Sequence, residues 1–285
     1  MRAMGDNVCI GGIEAGGTTF KCSVATLNLE KIDQAEFPTR SPEATLADIA
    51  SFFGHYPDLN HIGIASFGPL DLRSGTITDT PKLEWQNYPL LNAIQDATST
   101  PASIETDVTA AGLAEYMHAA DDQSLVYITV GTGIGAAYIQ SGQPLSNTRH
   151  AEMGHIRLPR APDDTFAGIC PFHQDCLEGL ASGPAMEARW GIAPGHLDPD
   201  HEAWVMEAHY LAHLCENLIR ILTPDKILFG GGVMQNSALL EQTKVKTHEL
   251  MGGYQETHTE IAKAALEPDS GLIGALVVAK RALSV

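Results

Sequence analysis

The sequence predicts a two-lobed α/β protein. Its 285 residues exceed a typical single hydrophobic core, and a unit of strand, glycine-rich loop and strand occurs twice. The first copy spans residues 8–25, and the second spans residues 125–139, about halfway along the chain. This duplication predicts two similar α/β lobes with a cleft between them, and clefts of this kind bind ligands.

The first copy predicts a hairpin around a glycine loop. Val8 to Ile13 is an apolar run, Phe20 to Ala25 is a second, and Glu14-Ala15-Gly16-Gly17-Thr18-Thr19 lies between them. Glycines lack side chains, so backbone N–H groups and threonine hydroxyls can approach phosphate oxygens. The loop is therefore a candidate phosphate site, although a tight turn without a ligand is the commoner explanation of a single loop.

A strand end and an alanine-rich helix are predicted next, over residues 103–116. Thr106 or Asp107 occupies the N-cap, where a short polar side chain satisfies free N–H groups of the helix. Asp107 is also the candidate general base, because the helix dipole keeps its carboxylate ionised near neutral pH and able to accept a proton. A plain capping role explains this aspartate equally well.

The second copy repeats the pattern of the first. The runs 125–130 and 136–139 flank the loop Gly131-Thr132-Gly133-Ile134-Gly135, and Thr132 stands at the place equivalent to Thr18. Two such loops facing each other predict a phosphate clamp. A Walker-type site is excluded because no Gly-Lys-Ser/Thr follows either loop, and a dinucleotide fold is excluded because each loop leads into a strand.

A third glycine run, Gly230-Gly231-Gly232, ends a predicted strand that begins near Ile227 and opens a predicted helix. Glycines here would let the backbone pass close to a flat ligand such as adenine. A simple strand-to-helix turn is the alternative interpretation.

Four soft metal ligands follow the second loop: His155, Cys170, His173 and Cys176. Two residues separate each of the last three, so a short knuckle can close on one tetrahedral Zn²⁺. Because four protein ligands leave no open coordination position, the predicted zinc is structural and does not activate water.

Composition argues against several classes of protein. The chain has 17 Lys and Arg against 35 Asp and Glu, a formal charge of −18, which opposes binding to nucleic acid. No apolar stretch is long enough for a membrane span and no apolar signal segment precedes the first strand, so we expect a cytoplasmic protein without membrane contact. Cys9, Cys22 and Cys215 lie in apolar contexts typical of reduced thiols.

These motifs together resemble the ROK family of sugar kinases over nearly the whole chain. The resemblance is carried by Glu14-Ala15-Gly16-Gly17-Thr18, Gly68-Pro69-Leu70-Asp71, Gly131-Thr132-Gly133-Ile134-Gly135, Glu152-Met153-Gly154-His155 and the cysteine knuckle. Within the family, the chain most closely resembles the bacterial fructokinase branch, in the segments 13–18, Thr80-Pro81-Lys82, Trp85-Gln86-Asn87-Tyr88 and 170–183.

The resemblance implies an actin-like ATPase fold, hexokinase-type and ribonuclease-H-like, with duplicated α/β domains and a zinc knuckle. Residues 1–117 and 271–285 would form a smaller N-terminal lobe with the first phosphate loop and the catalytic aspartate. Residues 118–270 would form a larger C-terminal lobe with the second phosphate loop, the knuckle and the adenosine site. A homodimer is expected, and two-fold oligomers are common.

The resemblance also implies roles for individual residues. Asp107 matches the catalytic aspartate of the family. ATP would be bound by Gly16, Gly17, Thr18, Gly131, Thr132, Gly133, Gly231 and Gly232. The sugar would be contacted by Gly68, Thr106, Asp107, Glu152, His155 and Glu178. His155 would then serve twice, binding zinc through one ring nitrogen and donating the other N–H to the substrate, because coordination fixes its tautomer.

Four positions depart from the family pattern. Glu14 stands where Asp is common, Thr19 where Lys is common, and Thr106 where Asn precedes the catalytic aspartate. His173 replaces a cysteine ligand at a shifted spacing. Glu14 and the knuckle both fit the fructokinase branch.

The expected activity is therefore transfer of the γ-phosphoryl group from Mg²⁺·ATP to D-fructose, giving fructose 6-phosphate. Glucose, mannose and N-acetylhexosamine kinases are alternatives, because a set of carboxylates and an imidazole binds hydroxyls without revealing the ring form. A sugar-sensing regulator of the same family is less favoured, since only about a dozen residues precede the first loop, too few for a helix-turn-helix. A zinc-knuckle interaction module would contain zinc without turnover.

Overall fold

A computed structural model of the chain describes residues 8–80, 82–121, 123–145, 150–253 and 258–284. Pro81, part of one fructokinase-like segment, lies outside the described residues. Contacts between Cα atoms divide the chain into two compact units. The first unit comprises Met1–Ala120, Gly142–His150 and Asp269–Val285, and the second comprises Asp121–Ser141 and Ala151–Pro268.

The strands and helices are numbered in chain order. The strands are β1 (Cys9–Ala15), β2 (Thr19–Thr26), β3 (Lys31–Pro38), β4 (Leu59–Ser66), β5 (Leu70–Asp71), β6 (Thr76–Ile77), β7 (Ala102–Thr106), β8 (Leu125–Val130), β9 (Ile134–Gln140), β10 (Gln143–Pro144), β11 (Lys226–Gly230) and β12 (Glu260–Lys263). The helices are α1 (Pro42–Phe53), α2 (Leu90–Thr98), α3 (Asp107–Ala119), α4 (Leu177–Ala181), α5 (Gly183–Trp190), α6 (Ala203–Leu222), α7 (Ser237–Met251) and α8 (Ser270–Ala282).

The first unit is built on a five-stranded sheet with the order β3-β2-β1-β4-β7. β1 and β2 form the predicted antiparallel hairpin, whereas β1, β4 and β7 run parallel. In this register Ala15 lies opposite Ser66, and Ser66 lies opposite Thr106. The carboxyl ends of three neighbouring parallel strands therefore meet at one edge, where open α/β sheets bind their ligands.

Helix α3 begins directly after β7, as the alanine-rich pattern predicts. Thr106 is the N-cap, and its hydroxyl oxygen accepts a hydrogen bond from the Thr109 N–H at 3.2 Å. Alanine is the best helix former, and Ala110, Ala111 and Ala114 are buried in this helix. The cap fixes the start of the helix, and hence the position of Asp107, the next residue.

Helix α8 packs closely against the sheet and against α3. A Cβ atom built on Gly63 of β4 would lie 1.9 Å from the carbonyl oxygen of Ala275, and one built on Gly274 would lie 2.2 Å from that of Ala110. Only glycine fits where backbones approach so closely. Buried Leu276 joins the apolar cluster around Ile10 of β1, so the C-terminal helix supports both β1 and the helix that carries Asp107.

The second unit repeats this arrangement. Within it the strand order is β9-β8-β11-β12, with β8 and β9 antiparallel and β11 parallel to both of its neighbours. An antiparallel hairpin continued by parallel strands thus occurs in both units, which confirms the predicted duplication. Ile128, Phe229 and Leu214 are fully buried in its core, and burying each contributes about 1.5–3 kcal/mol.

Two local details differ from the sequence prediction. Glu14 lies inside β1, so the first turn is shorter than the predicted segment 14–19. After the third glycine run, a short 3₁₀ turn over Gly232–Gln235 precedes α7, which begins at Ser237 with Asn236 as its cap. Among the described residues, no helix is both long and apolar enough to cross a membrane.

Candidate active site

The candidate site of the first unit lies at the carboxyl edge of its sheet. The loop Gly16-Gly17-Thr18 follows β1, Gly68 lies two residues after the end of β4, and Asp107 directly follows β7. The Phe67 N–H donates to the Ala15 carbonyl at 3.0 Å and ties the first two connections together. The strand order thus brings the first-unit residues predicted for ATP and sugar binding to one edge.

The first glycine loop has a fixed backbone. The Gly16 N–H donates to the Thr19 carbonyl at 2.9 Å, the Thr39 hydroxyl donates to the Gly16 carbonyl at 2.7 Å, and the Thr39 N–H donates to the Thr18 carbonyl at 2.9 Å. A Cβ atom on Gly16 would lie 2.6 Å from the Thr19 oxygen, closer than real Cβ contacts. A rigid loop with an exposed Thr18 suits an anion.

Asp107 has the electrostatic character of a proton acceptor. As a whole residue Asp107 is exposed to solvent, yet desolvation of its carboxyl group by the surrounding protein raises its pKa to about 6, and the Glu14 carboxylate adds to that rise. The hydrogen bond from the Val108 N–H, at 2.8 Å, and the nearby His150 act in the opposite direction. A carboxyl group with a pKa of about 6 is mostly ionised at pH 7 and can accept a proton.

Thr106 and Gly68 occupy different settings at this edge. The Thr106 side chain is buried, and its hydroxyl donates to Thr109 Oγ1 at 2.8 Å while it caps α3. The structure therefore shows Thr106 as a helix cap, and a sugar contact by this residue stays a prediction. A Cβ atom on Gly68 would meet only the Leu70 nitrogen, at 3.4 Å, so the space beside it is open.

An ion pair beside the first loop was not anticipated. Glu14 and Lys21 are partners across the β1–β2 hairpin, and Lys21 Nζ lies 3.1 Å from Glu14 Oε2. A Cβ atom on Gly271 would lie 2.6 Å from Glu14 Oε1, so this carboxylate lies against the first turn of α8. A helix N-terminus favours such a negative charge.

Glu105 is a second residue that sequence reasoning missed. Burial raises its pKa to about 7, while Arg281 and His150 oppose that rise. Its Oε2 atom is buried and makes no hydrogen bond with the described residues. A carboxyl group inside a short strand, two residues before the candidate base, was the signal available in the sequence.

In the second unit, two glycine loops are neighbours at the carboxyl ends of β8 and β11. The Gly131 N–H donates to the Gly133 carbonyl at 2.9 Å, and the Gly183 N–H donates to the Gly131 carbonyl at 2.8 Å. A Cβ atom on Gly131 would lie 4.0 Å from the Gly232 nitrogen. The structure thus groups the residues predicted for phosphate and adenosine in this unit, with Thr132 between Gly131 and Gly133.

Gly231 and Gly232 differ in what the backbone requires of them. Gly231 has a φ of +92°, and a Cβ atom on it would lie 2.4 Å from the Val130 carbonyl oxygen. Gly232 has no atom within 4 Å of its Cβ position. The backbone conformation therefore requires glycine at position 231, whereas open space adjoins Gly232.

Three predicted sugar ligands are grouped beside the second glycine loop. Glu178 Oε2 accepts a hydrogen bond from the Ile134 N–H at 3.0 Å, and a Cβ atom on Gly133 would lie 2.6 Å from the same oxygen. His155 Nε2 lies 3.8 Å from Glu178 Oε1 and 4.0 Å from Glu152 Oε2. Two carboxylates therefore lie close to one imidazole nitrogen.

The other ring nitrogen of His155 belongs to a metal-binding group. Nδ1 lies 3.4 Å from Cys176 Sγ and 3.7 Å from Cys170 Sγ, and Cys170 Sγ lies 3.7 Å from His173 Nδ1. All four ligand atoms lie within 4.8 Å of one another. Tetrahedral bonds of 2.0–2.3 Å give edges of about 3.3–3.8 Å, so the four residues can hold a metal ion. His155 thus has Nδ1 near the two cysteine thiols and Nε2 near the carboxylates of Glu152 and Glu178. The predicted double role needs this arrangement.

Comparisons with known proteins agree with the sequence resemblance. The profile of the family described as "ROK family" matches residues 10–282. A Bacillus subtilis protein whose name includes "fructokinase" is 42% identical over 288 residues, which cover 96% of each chain. The fructokinase of Pediococcus pentosaceus is 37% identical over 284 residues, 96% of this chain and 98% of that protein. The ROK hexokinase structure from Thermus thermophilus superimposes with a TM-score of 0.82 at 26% identity, covering 97% of this chain and 99% of that chain.

Proposed function

Because the chain belongs to the ROK family, we propose that it is a fructokinase, which transfers the γ-phosphoryl group of ATP to D-fructose and forms fructose 6-phosphate. The observation that carries this proposal is its 36–42% identity, over 90% or more of the chain, to relatives named fructokinase. The fold is the duplicated α/β, actin-like ATPase fold of ROK hexokinases. Two glucokinase relatives, from Halalkalibacterium halodurans and Streptomyces coelicolor, are 28% and 25% identical, a lower likeness that favours fructose over glucose.

In the first unit, Asp107 accepts the proton of the attacking sugar hydroxyl. Its pKa of about 6 leaves it ionised at neutral pH but basic enough to take the proton as the bond to phosphorus forms. Phosphoryl transfer passes through a loose transition state, so orientation of the hydroxyl matters more than the strength of the base. Gly68 and Thr106 complete the sugar-binding residues proposed for this edge.

The glycine loops hold the nucleotide. Gly16, Gly17 and Thr18 in the first unit, and Gly131, Thr132 and Gly133 in the second, offer backbone N–H groups and hydroxyls to phosphate oxygens. Gly231 and Gly232 lie beside the adenosine. Mg²⁺ bound to ATP neutralises part of the phosphate charge.

In the second unit, Glu152, His155 and Glu178 bind sugar hydroxyls. Carboxylates accept hydrogen bonds from hydroxyls, and the His155 Nε2–H donates one, because its Nδ1 is directed at the thiols of the metal group. His155, Cys170, His173 and Cys176 would hold a structural Zn²⁺, since two thiolates and two imidazoles are ligands that zinc prefers and four protein ligands leave no position for water. A homodimer and a cytoplasmic location complete the proposal.

The proposal is tested by ADP release from Mg²⁺·ATP with fructose, mannose, glucose and N-acetylmannosamine as acceptors. The fructokinase assignment requires the highest kcat/KM for fructose. A higher value for another hexose would correct the substrate, and an absence of sugar-dependent turnover with zinc-replete protein would favour the sensor or interaction-module alternatives.

A further inference from the structure

The first glycine loop has to bind phosphate groups in strongly acidic surroundings. The chain carries a net charge of −18, and the carboxylates of Glu14 and Asp107 lie at the same sheet edge as the loop. Residues 14–20 contain no basic side chain. A triphosphate at this edge is repelled by the Asp107 carboxylate, and Lys21 is already paired with Glu14, so a further cationic side chain of the first unit would favour its binding beyond what Mg²⁺ contributes.

The basic side chains around the loop differ in their availability. Lys21 is 3.1 Å from the Glu14 carboxylate, and Arg40 is paired with Asp48, so both charges already have partners. Lys82 has no carboxylate partner among the described residues. A Cβ atom built on Gly17 would lie 3.3 Å from the Cε atom of Lys82. The ammonium of Lys82 is one bond beyond that carbon.

The segment that carries Lys82 is held firmly in place. The side chain of Trp85 is 1% exposed and stacks on Phe20 with ring centroids 5.3 Å apart. Its indole N–H donates to the Arg40 carbonyl at 2.9 Å, and its backbone N–H donates to the Lys82 carbonyl at 2.9 Å. Phe20 immediately follows the start of β2, so one buried tryptophan fixes the Lys82 backbone relative to the loop. A preorganised ligand loses less conformational entropy on binding.

We propose that Lys82 is a phosphate-binding residue of the first unit, whose ammonium contacts the β- and γ-phosphate oxygens of ATP over Gly17. This inference rests on the proposed kinase function. The alternative role is that of a surface lysine whose methylene chain merely covers the glycine. The two roles differ in a measurable way, because phosphate binding depends on the charge of the side chain, whereas covering the glycine depends only on its methylene groups.

The test is calorimetric binding of Mg²⁺·ATP, Mg²⁺·ADP and adenosine to the full chain. Lys82→Met keeps an unbranched apolar side chain as far as the Cε position and removes the charged nitrogen, Lys82→Arg keeps the charge, and Lys31→Met is the matched control. Lys31 pairs with Ala25, at the end of β2 remote from the loop. Lys82→Met should weaken ATP about 10- to 100-fold, the loss of a hydrogen bond to a charged group, and leave adenosine unchanged.

Further readouts separate charge from structure. Lys82→Arg should retain most of the ATP affinity, and Lys82→Met should reduce the dependence of that affinity on ionic strength. An ATP affinity of Lys82→Met equal to that of Lys31→Met, or an equal loss for ATP and adenosine, would overturn the proposal, as would a wild-type chain that binds no ATP. Binding requires no turnover, so a charge-dependent loss without activity on any sugar would support Lys82 while contradicting the kinase.

Discussion

At the residue scale, the acidity of Asp107 is the balance of opposed interactions. Desolvation and the Glu14 carboxylate favour the protonated form, while the Val108 N–H and His150 favour the ionised form. Of these influences, only the helix dipole can be predicted from the sequence. The dipole is local and can be inferred from an N-terminal position, whereas desolvation depends on residues distant in the chain.

We predict that kcat/KM for fructose falls as the pH decreases through about 6. The protonated form of Asp107 cannot accept a proton, and this carboxyl group has a pKa of about 6. Activity should therefore be present above that pH and be lost tenfold per pH unit well below it. A pH–rate profile with saturating Mg²⁺·ATP measures this limb, and a rate that stays constant down to pH 5 would contradict the assignment.

A matched control for this pH dependence changes Glu14, the neighbour of Asp107, and leaves Asp107 itself in place. Glu14→Gln removes a negative charge that raises the pKa of Asp107, so the acid limb should move to lower pH. A limb that does not move, or moves to higher pH, would show that another group controls the profile.

At single residues, local contacts could be predicted from the sequence, whereas contacts between residues distant in the chain could not. Thr106 as a cap and Asp107 as the first residue of α3 follow from a local pattern, because capping involves residues only three positions apart. The contact between Glu178 and the Ile134 N–H joins residues 44 positions apart, and the approach of Lys82 to Gly17 depends on the packing of Trp85. Contacts of this kind are set by tertiary structure, so no motif indicated them.

At the element scale, both glycine hairpins could be predicted and the sheet order could not. Two apolar runs on either side of a glycine loop specify an antiparallel pair locally. The parallel pairing of β1 with β4 and of β4 with β7 is non-local. That pairing gathers Gly16, Gly68 and Asp107 at one edge, so the site was recognised through family resemblance and not through strand order.

The third glycine run provides a paired test of fold against function. Gly231→Ala should destabilise the chain and lower its melting temperature, because φ is +92° and the new Cβ atom would lie 2.4 Å from the Val130 oxygen. Gly232→Ala should leave the melting temperature nearly unchanged but raise KM for ATP, since its Cβ atom would enter the open space proposed for adenosine.

Thermal unfolding of both variants tests the predicted melting temperatures, and steady-state kinetics test the predicted KM for ATP. A Gly232→Ala enzyme with wild-type KM for ATP and for fructose would remove this glycine from the adenosine site. Equal melting temperatures for the two variants would contradict the strain assigned to Gly231.

At the scale of the whole molecule, the sequence indicates the duplication of the strand, glycine loop and strand unit most clearly. Each unit has an antiparallel hairpin continued by parallel strands, and each carries glycine loops at the carboxyl ends of those strands. The two units then diverge in their additions. Among the described residues, the metal-binding group of His155, Cys170, His173 and Cys176 belongs to the second unit alone, and Glu178 follows it two residues later.

Removal of the metal should impair sugar binding more than folding. The second unit has an extensive apolar core of its own, so the chelated protein should keep its far-ultraviolet circular dichroism. His155 would lose the bond that orients its Nε2–H, and KM for fructose should rise about 10- to 100-fold, with a smaller change for ATP.

Elemental analysis should give one zinc ion per chain, and added zinc should restore KM. Burial raises the pKa of the Cys176 thiol to about 11, so zinc binding must displace a proton and should strengthen as pH rises. A zinc-free enzyme with unchanged KM for fructose would contradict the role of His155 as both metal ligand and sugar ligand.

We expect this chain to phosphorylate fructose with Asp107 as the proton acceptor. The most direct measurement is fructose-dependent ADP release by the wild-type enzyme and by Asp107→Asn, purified in parallel and matched for zinc content and melting temperature. We predict turnover by the wild type and a kcat lower by about 10²–10⁴ in the variant, the range for loss of a general base. A variant that retains near-normal kcat would contradict the mechanism, and a wild type without fructose-dependent turnover would contradict the function.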